Sequence, residues 1–116
     1  ESSVEVIDEY AFCSCESLDI VKLPPSAKTI NDGAFGYCES LVIVNLSACP
    51  LLEVIGDNAF LGCTSLMAVY FPNSRLRIRN DTFSNCHSLI SAELPPAVHV
   101  DDRAFIGCRT LELRQQ

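Results

Sequence analysis

Hydrophobic and polar positions along this chain follow one pattern that returns every 22–25 residues. Its centre is an octet of the form A-F-x-x-C-x-S-L, with Thr82 once in place of Ala and Thr110 once in place of Ser. The five octets are AFCSCESL (11–18), AFGYCESL (34–41), AFLGCTSL (59–66), TFSNCHSL (82–89) and AFIGCRTL (104–111). Self-similarity at a fixed period of this length predicts a stacked repeat protein.

The Leu that closes each octet opens a run of the form L-x-x-V-x-L. This short apolar run, rich in β-branched residues, predicts a β-strand. Proline follows the run at Pro24, Pro72 and Pro95, and it ends a strand because it has no N–H to donate. The fifth run has Arg114 where Val is expected, so we expect the last strand to lack its core after Leu113.

A second set of positions precedes each Phe. An Ile or Val stands five residues before it, and an acidic residue or Asn stands three residues before it. Asp and Asn are typical helix N-caps, so A-F-x-x-C is predicted to be a short helical turn with Ala, Phe and Cys facing inward. The capping column is Glu9, Asp32, Asp57, Asn80 and Asp102.

A unit of about 23 residues is too small to enclose a core, but stacked units share one. The predicted fold is therefore an α/β repeat solenoid. It is a curved stack with short parallel β-strands on its concave face and short helical turns on its convex face. We expect residues 1–116 to form a single domain of about five repeats. Because neither end shows a polar cap, we expect it to be part of a longer array.

These residues resemble the BspA-like leucine-rich repeat, also called the Treponema pallidum type, whose unit reads I-x-x-x-A-F-x-x-C-x-S-L-x-x-V-x-L-P. The resemblance covers residues 4–113. The chain departs from the unit in a two-residue insertion within 46–55 and in Ala92 for Val. Members of this family are commonly surface or secreted proteins of bacteria and protists associated with adhesion and protein binding. The resemblance thus implies a cell-surface or secreted protein, with an intracellular location as the alternative.

Composition narrows the class of partner. The 116 residues are 48% hydrophobic and 20% charged, as in a globular protein. The net charge of −7 disfavours nucleic acid, and no apolar run approaches the roughly 20 residues of a membrane span. Residues 1–58 carry −8 and residues 59–116 carry +1. Arg75, Arg77 and Arg79 lie in the second half, as either a solvated edge or a surface that orients a charged partner.

Seven cysteines invite a disulfide or metal interpretation. Five form one column, and stacking would hold their side chains parallel and one coil apart, which suits neither a disulfide nor zinc. We expect buried free thiols in the column Cys15, Cys38, Cys63, Cys86 and Cys108. Cys13 and Cys49 fall outside the column and are candidates for a reactive, redox-sensing thiol.

The inventory of catalytic groups is poor. His87 occupies a variable position and His99 lies on a connector, and neither belongs to a recognisable nucleophile arrangement. No phosphate-binding glycine motif is present. We expect no enzymatic activity and no cofactor.

The variable positions of the strands define the candidate partner-binding residues. On the predicted concave face these are Ile20, Lys22, Ile43, Asn45, Ala68, Tyr70, Ser91 and Glu93. Ile20, Ile43 and Tyr70 are apolar, as are the neighbouring Val42, Met67 and Ile90. They form either an exposed patch that binds protein or, most readily for Val42, Met67 and Ile90, part of the core.

The sequence thus favours a non-catalytic protein-interaction or adhesion module, anchored by Ile20, Ile43, Met67 and Tyr70 with Lys22 and Glu93 at the rim. The alternative is a structural or spacer subunit that contacts neighbouring repeats or subunits through its open ends or convex face.

Overall fold

The computed structural model describes residues 3–115, which form five stacked coils. Each coil contributes one strand of two residues and one of three or four. The short strands are β1 (Val6–Ile7), β3 (Thr29–Ile30), β5 (Val54–Ile55), β7 (Arg77–Ile78) and β9 (His99–Val100). The long strands are β2 (Ile20–Lys22), β4 (Ile43–Asn45), β6 (Ala68–Tyr70), β8 (Ser91–Leu94) and β10 (Glu112–Gln115).

These strands form two parallel sheets, one on each side of the coils. The short-strand sheet has the order β1-β3-β5-β7-β9, and the long-strand sheet has the order β2-β4-β6-β8-β10. Val21, Val44 and Val69 are register partners, and so are Ile7, Ile30 and Ile55. The long-strand sheet was predicted, whereas the short-strand sheet was not. Its strands are two residues long, and the sequence shows only one apolar column for them.

The predicted helical turns are wrong, since no helix occurs in residues 3–115. Backbone N–H groups in A-F-x-x-C alternate between two kinds of acceptor. The N–H of Phe35 donates to the carbonyl of Ala59 in the next coil at 2.7 Å, while that of Gly36 closes a turn onto Gly33 at 3.1 Å. The segment is therefore a run of tight turns that pairs laterally with its neighbours.

Positive φ angles explain why no helix forms. Residues two before and two after the Phe adopt the left-handed conformation in most coils, which interrupts a right-handed helix about every four residues. The positions are Tyr10, Gly33, Asn58 and Asp81 before the Phe, and Ser14, Tyr37, Gly62, Asn85 and Gly107 after it. Gly, Asn and Asp tolerate this conformation best, and they fill six of the nine positions.

The predicted capping role of the acidic column is also wrong. The Asp32 carboxylate accepts a hydrogen bond from the backbone N–H of Asp57 at 2.8 Å. The Asp57 carboxylate likewise accepts one from the N–H of Asn80 at 3.1 Å. These carboxylates therefore link successive coils instead of capping a helix within one coil.

The inward direction of Ala, Phe and Cys is confirmed, and the Phe side chains form a continuous stack. Their ring centroids are 5.1–5.3 Å apart from Phe12 to Phe105, with interplanar angles of 7° or less. Phe60 and Phe83 are fully buried, and Phe71 meets Phe83 edge-on at 5.9 Å. Thr82, the exception to Ala, is buried, and its hydroxyl lies within hydrogen-bonding distance of the carbonyls of Gly56 and Arg79.

The last strand lacks a buried core after Leu113, as expected for the fifth copy, yet it pairs with β8 because its register shifts by one residue. In the earlier coils the second residue after the octet Leu pairs with its counterpart, as Ile43 does with Ile20. In β10 the paired position is occupied by Glu112, the first residue after Leu111, which pairs with Ser91. The shift sets Leu113 opposite Ala92, in the Val column, and turns Arg114 to the outer face.

We predict that the Phe stack supplies a large part of the stability. Phe60→Ala should lower the free energy of unfolding by about 3–5 kcal/mol, because it empties a fully buried site between two ring neighbours. Phe12→Ala should cost less than half as much, since Phe12 is 42% exposed and stacks on one neighbour. Urea denaturation measures both values, with Phe60→Leu as a milder variant. Equal losses at the two positions would contradict this account.

Candidate protein-interaction surface

The outer face of the long-strand sheet brings together all eight predicted binding residues. The strands β2, β4 and β6 bury their middle residue, and β8 buries Ala92 and Leu94, so the alternate residues point outward. The outward residues form two registered columns: Ile20, Ile43, Ala68, Ser91 and Glu112, and Lys22, Asn45, Tyr70, Glu93 and Arg114. We call this face the long-strand surface.

Apolar side chains on and beside this surface are exposed. Ile20 is 54% exposed and Tyr70 is 53% exposed, while Ile43 is half-buried. Met67 and Ile90, at 46% and 52%, are also exposed, and Val42 is half-buried. The alternative that this flanking set belongs to the core is therefore wrong for Met67 and Ile90.

A depression of about 310 Å³ lies over β6 and β8. It is lined by Ser47, Ala68, Val69, Tyr70, Phe71, Ser91 and Glu93. Ala68 and Ser91 are small residues in a column that begins with two Ile side chains, so the surface dips where they stand. Ser47, Val69 and Phe71 were not among the binding residues predicted from the sequence. Ser47 lies within 46–55, the segment that carries the two-residue insertion, and this departure from the repeat was the available signal.

The ion pairs observed among the described residues lie away from the long-strand surface. Arg77 pairs with Asp101 at 3.7 Å and Arg79 with Asp57 at 3.6 Å, so two of the three alternating arginines have intramolecular partners. His99 Nε2 lies 3.1 Å from the same oxygen of Asp101, in β9 and not on a connector. His87 is exposed.

The cysteine column consists of free thiols, as predicted. Cys38, Cys63 and Cys86 are buried, but the expected burial is wrong for Cys15 and Cys108, which are half-buried because they lie in the first and last of the described coils.

Each thiol from the second coil onward donates to the Phe carbonyl of the preceding coil, as Cys63 does to Phe35 at 3.2 Å and Cys86 does to Phe60 at 3.2 Å. Burial raises the pKa of Cys63 to about 12. A hydrogen bond with Cys108, together with burial, raises the pKa of Cys86. The hydrogen bond with Cys86 lowers the pKa of Cys108. Cys63 remains protonated at neutral pH, and the thiol–carbonyl hydrogen bonds link successive coils beside the Phe stack.

The two remaining cysteines differ. Cys49 was a candidate reactive thiol, but it is fully buried, and its thiol lies 3.4 Å from the carbonyls of Leu23 and Pro24. Burial also raises its pKa, so Cys49 is unsuited to redox sensing. Cys13 is half-buried beside the exposed Tyr10 and Tyr37.

Within residues 3–115, no group of three or more His, Cys, Asp or Glu side chains is arranged to hold a metal ion. The same residues include no helix of the length and apolarity that a bilayer span requires.

The chain is similar in sequence and structure to known leucine-rich repeat proteins. A family model described as the BspA type leucine rich repeat region matches residues 1–112 in six copies, against the five complete octets counted above. A leucine rich cell surface protein from Faecalibacterium prausnitzii A2-165 is 29% identical with a TM-score of 0.92, and the match covers 100% of this chain and 31% of that one.

Two further crystal structures are similar. The T. pallidum leucine rich repeat protein is 31% identical with a TM-score of 0.81, over 97% of this chain and 63% of that one. A leucine-rich repeat protein from Bacteroides ovatus ATCC 8483 is 30% identical with a TM-score of 0.65, over 100% of this chain and 36% of that one. The chain thus spans between about a third and two thirds of these proteins. No curated protein sequence matches it.

We predict that the buried thiols make stability depend on alkaline pH. The folded pKa of Cys63, about 12, exceeds its ordinary value of 9.0. The contribution of the neutral Cys63 thiol to stability is therefore complete below pH 9 and is lost as the pH rises toward 12, by about 1.4 kcal/mol per pH unit. Urea denaturation under reducing conditions between pH 8 and 11 should show this loss. Cys63→Ala should remove the contribution of one titrating proton from the slope of unfolding free energy against pH. An unchanged slope would contradict the assignment of the raised pKa to Cys63.

Proposed function

The chain belongs to the BspA-type leucine-rich repeat family, and from this premise we propose that it is a non-catalytic protein-interaction or adhesion module that binds its partner through the long-strand surface. Leucine-rich repeat proteins are generally scaffolds that bind proteins and are generally not enzymes. The observation that carries the proposal is the exposure of Ile20, Met67, Tyr70 and Ile90 on and beside one sheet.

Exposed apolar groups on a regular sheet face favour a protein partner. Burying them releases water from apolar surface, which is the main driving force for protein association. The strands β4, β6 and β8 are paired with a neighbouring strand on both sides, so little backbone conformational entropy is lost when the central part of the surface binds. Lys22 and Glu93 supply charge beside the apolar anchors Ile20, Ile43, Met67 and Tyr70, as at the polar rim of an interface.

The proposal extends to shape and location. The long-strand surface would be the concave face of a curved stack. Residues 1–116 would be one domain of a longer array, since the similar proteins are longer. A cell-surface or secreted location is supported by the description of one similar structure as a cell surface protein.

A second candidate function is a structural subunit or spacer that contacts neighbouring coils. One observation favours it: an apolar depression of about 240 Å³ opens on the first coil beside Val4, Phe12, Ile20 and Pro24. Phe12 there is 42% exposed, although the same side chain is buried in the middle coils. This candidate requires contact through the end of the stack, so substitutions on the long-strand surface other than at Ile20 would leave it intact.

We predict that the double substitution Tyr70→Ala with Ile43→Ser weakens partner binding at least tenfold while the melting temperature changes little. The reason is that both side chains point away from the core and truncating central apolar anchors costs the most affinity. Binding is measured on the immobilised chain against a panel of purified cell-surface and extracellular matrix proteins. Circular dichroism gives the melting curve.

The matched control is the double substitution Val54→Ser with Arg77→Ala on the short-strand sheet. It changes one half-buried aliphatic side chain and one exposed long side chain, as the first variant does. It should retain binding. Loss of folding in the first variant would assign Tyr70 and Ile43 to the core. Loss of binding in the control but not in the first variant would support contact through the other face.

A further inference from the structure

The chemistry of the depression over β6 and β8 identifies one class of partner group. We propose that it receives an arginine side chain of the partner protein, with the guanidinium stacked on the Tyr70 ring and paired with the Glu93 carboxylate. This inference rests on the proposed function, because it names a group of the partner that the long-strand surface would bind.

Tyr70 and Glu93 are register partners on adjacent strands, and both point outward. Parallel neighbours of this kind lie about 4.8 Å apart, so one guanidinium can contact the ring and the carboxylate together. Arginine suits this pair better than lysine does. Its planar group stacks on an aromatic face and donates two parallel hydrogen bonds to a carboxylate.

The part of the depression beside Tyr70 and Glu93 is lined by small side chains. Ala68 and Ser91, the register partners in the adjacent column, are small enough to leave room for the arginine methylenes. Ser47, Ser91 and Glu93 supply polar groups at the wall, while Val69 and Phe71 are buried beneath. The depression thus combines an apolar base with one anionic side chain and no cationic one.

Charge favours the same occupant. The chain carries −7, and no ion pair within residues 3–115 engages Glu93. Two cationic side chains lie in the same column as Glu93. Arg114 is on β10, on the side of Glu93 away from Tyr70, and Lys22 is on β2, two strands from Tyr70. Arg114 is exposed, and no ion pair among the described residues joins it to Glu93, so the carboxylate is available to a partner.

The test compares N-acetyl-arginine amide with N-acetyl-citrulline amide, which is its neutral analogue of the same shape. Each is titrated into the 15N-labelled full chain at near-physiological salt. We expect the arginine probe to shift the backbone amide signals of Ala68, Tyr70, Ser91 and Glu93 saturably, with a Kd in the millimolar range. The citrulline probe should bind at least about threefold more weakly, because it lacks the charge.

Variants then assign the two contacts. Glu93→Gln should weaken the arginine probe about two- to fivefold, and Tyr70→Ala about two- to tenfold, whereas Tyr70→Phe should retain binding because the ring face remains. Glu39→Gln is the matched control, since it removes an exposed carboxylate remote from the depression, and it should change nothing beyond the small effect of net charge. Arg114→Gln should leave binding unchanged or strengthen it.

Three results would overturn the inference: equal shifts from arginine and citrulline, shifts outside the depression only, or binding lost in Arg114→Gln, which would indicate an anionic ligand. These results are separable from the test of the proposed function. Protein binding that requires Tyr70 and Ile43 but is unaffected by Glu93→Gln would sustain the long-strand surface while refuting the arginine contact.

Discussion

Lateral hydrogen bonding between successive coils is the constraint on which the rest of the structure depends. A coil of about 23 residues cannot satisfy its own backbone groups or bury its own apolar side chains. Each coil therefore exchanges backbone hydrogen bonds with its neighbours through the long-strand sheet, the short-strand sheet and the tight turns that carry the Phe. The side-chain columns follow from this pairing, because backbone groups held in register place identical side chains one above another.

The same constraint decides which departures from the repeat are tolerated. A polar side chain can enter the core when the adjacent coil offers an acceptor, as the carbonyl of Gly56 does for Thr82. The insertion after Leu46 is absorbed because Cys49 and Leu52 both turn inward and are fully buried. The last strand shifts by one residue so that Leu113, and not Arg114, faces the core side. In each case lateral pairing is preserved and the local sequence adapts to it.

Because alternate residues of a strand point to opposite faces of the sheet, the residues that form the core differ from those that would bind a partner. Val44 and Val69 point into the stack, while their neighbours Ile43 and Tyr70 point away from it. The outer residues can therefore vary without altering the core, and a row of them presents a surface whose chemistry changes from coil to coil. The proposed arginine contact uses this variation, since an aromatic residue and an acid meet only between β6 and β8 in the described sheet.

The sequence by itself determined the repeat, the family resemblance, the inward columns of Phe and Cys, and the strand that follows each octet. Those features are fixed by spacing, and apolar residues recurring in register have few other ways to leave water. The tertiary structure alone decided the features that depend on neighbouring coils. The turns replace helices because lateral acceptors compete for their N–H groups, and Asp32 reaches the next coil instead of its own. Burial of Cys49 and the dip beside Tyr70 likewise arise from residues more than twenty positions apart, whose contact no single repeat encodes.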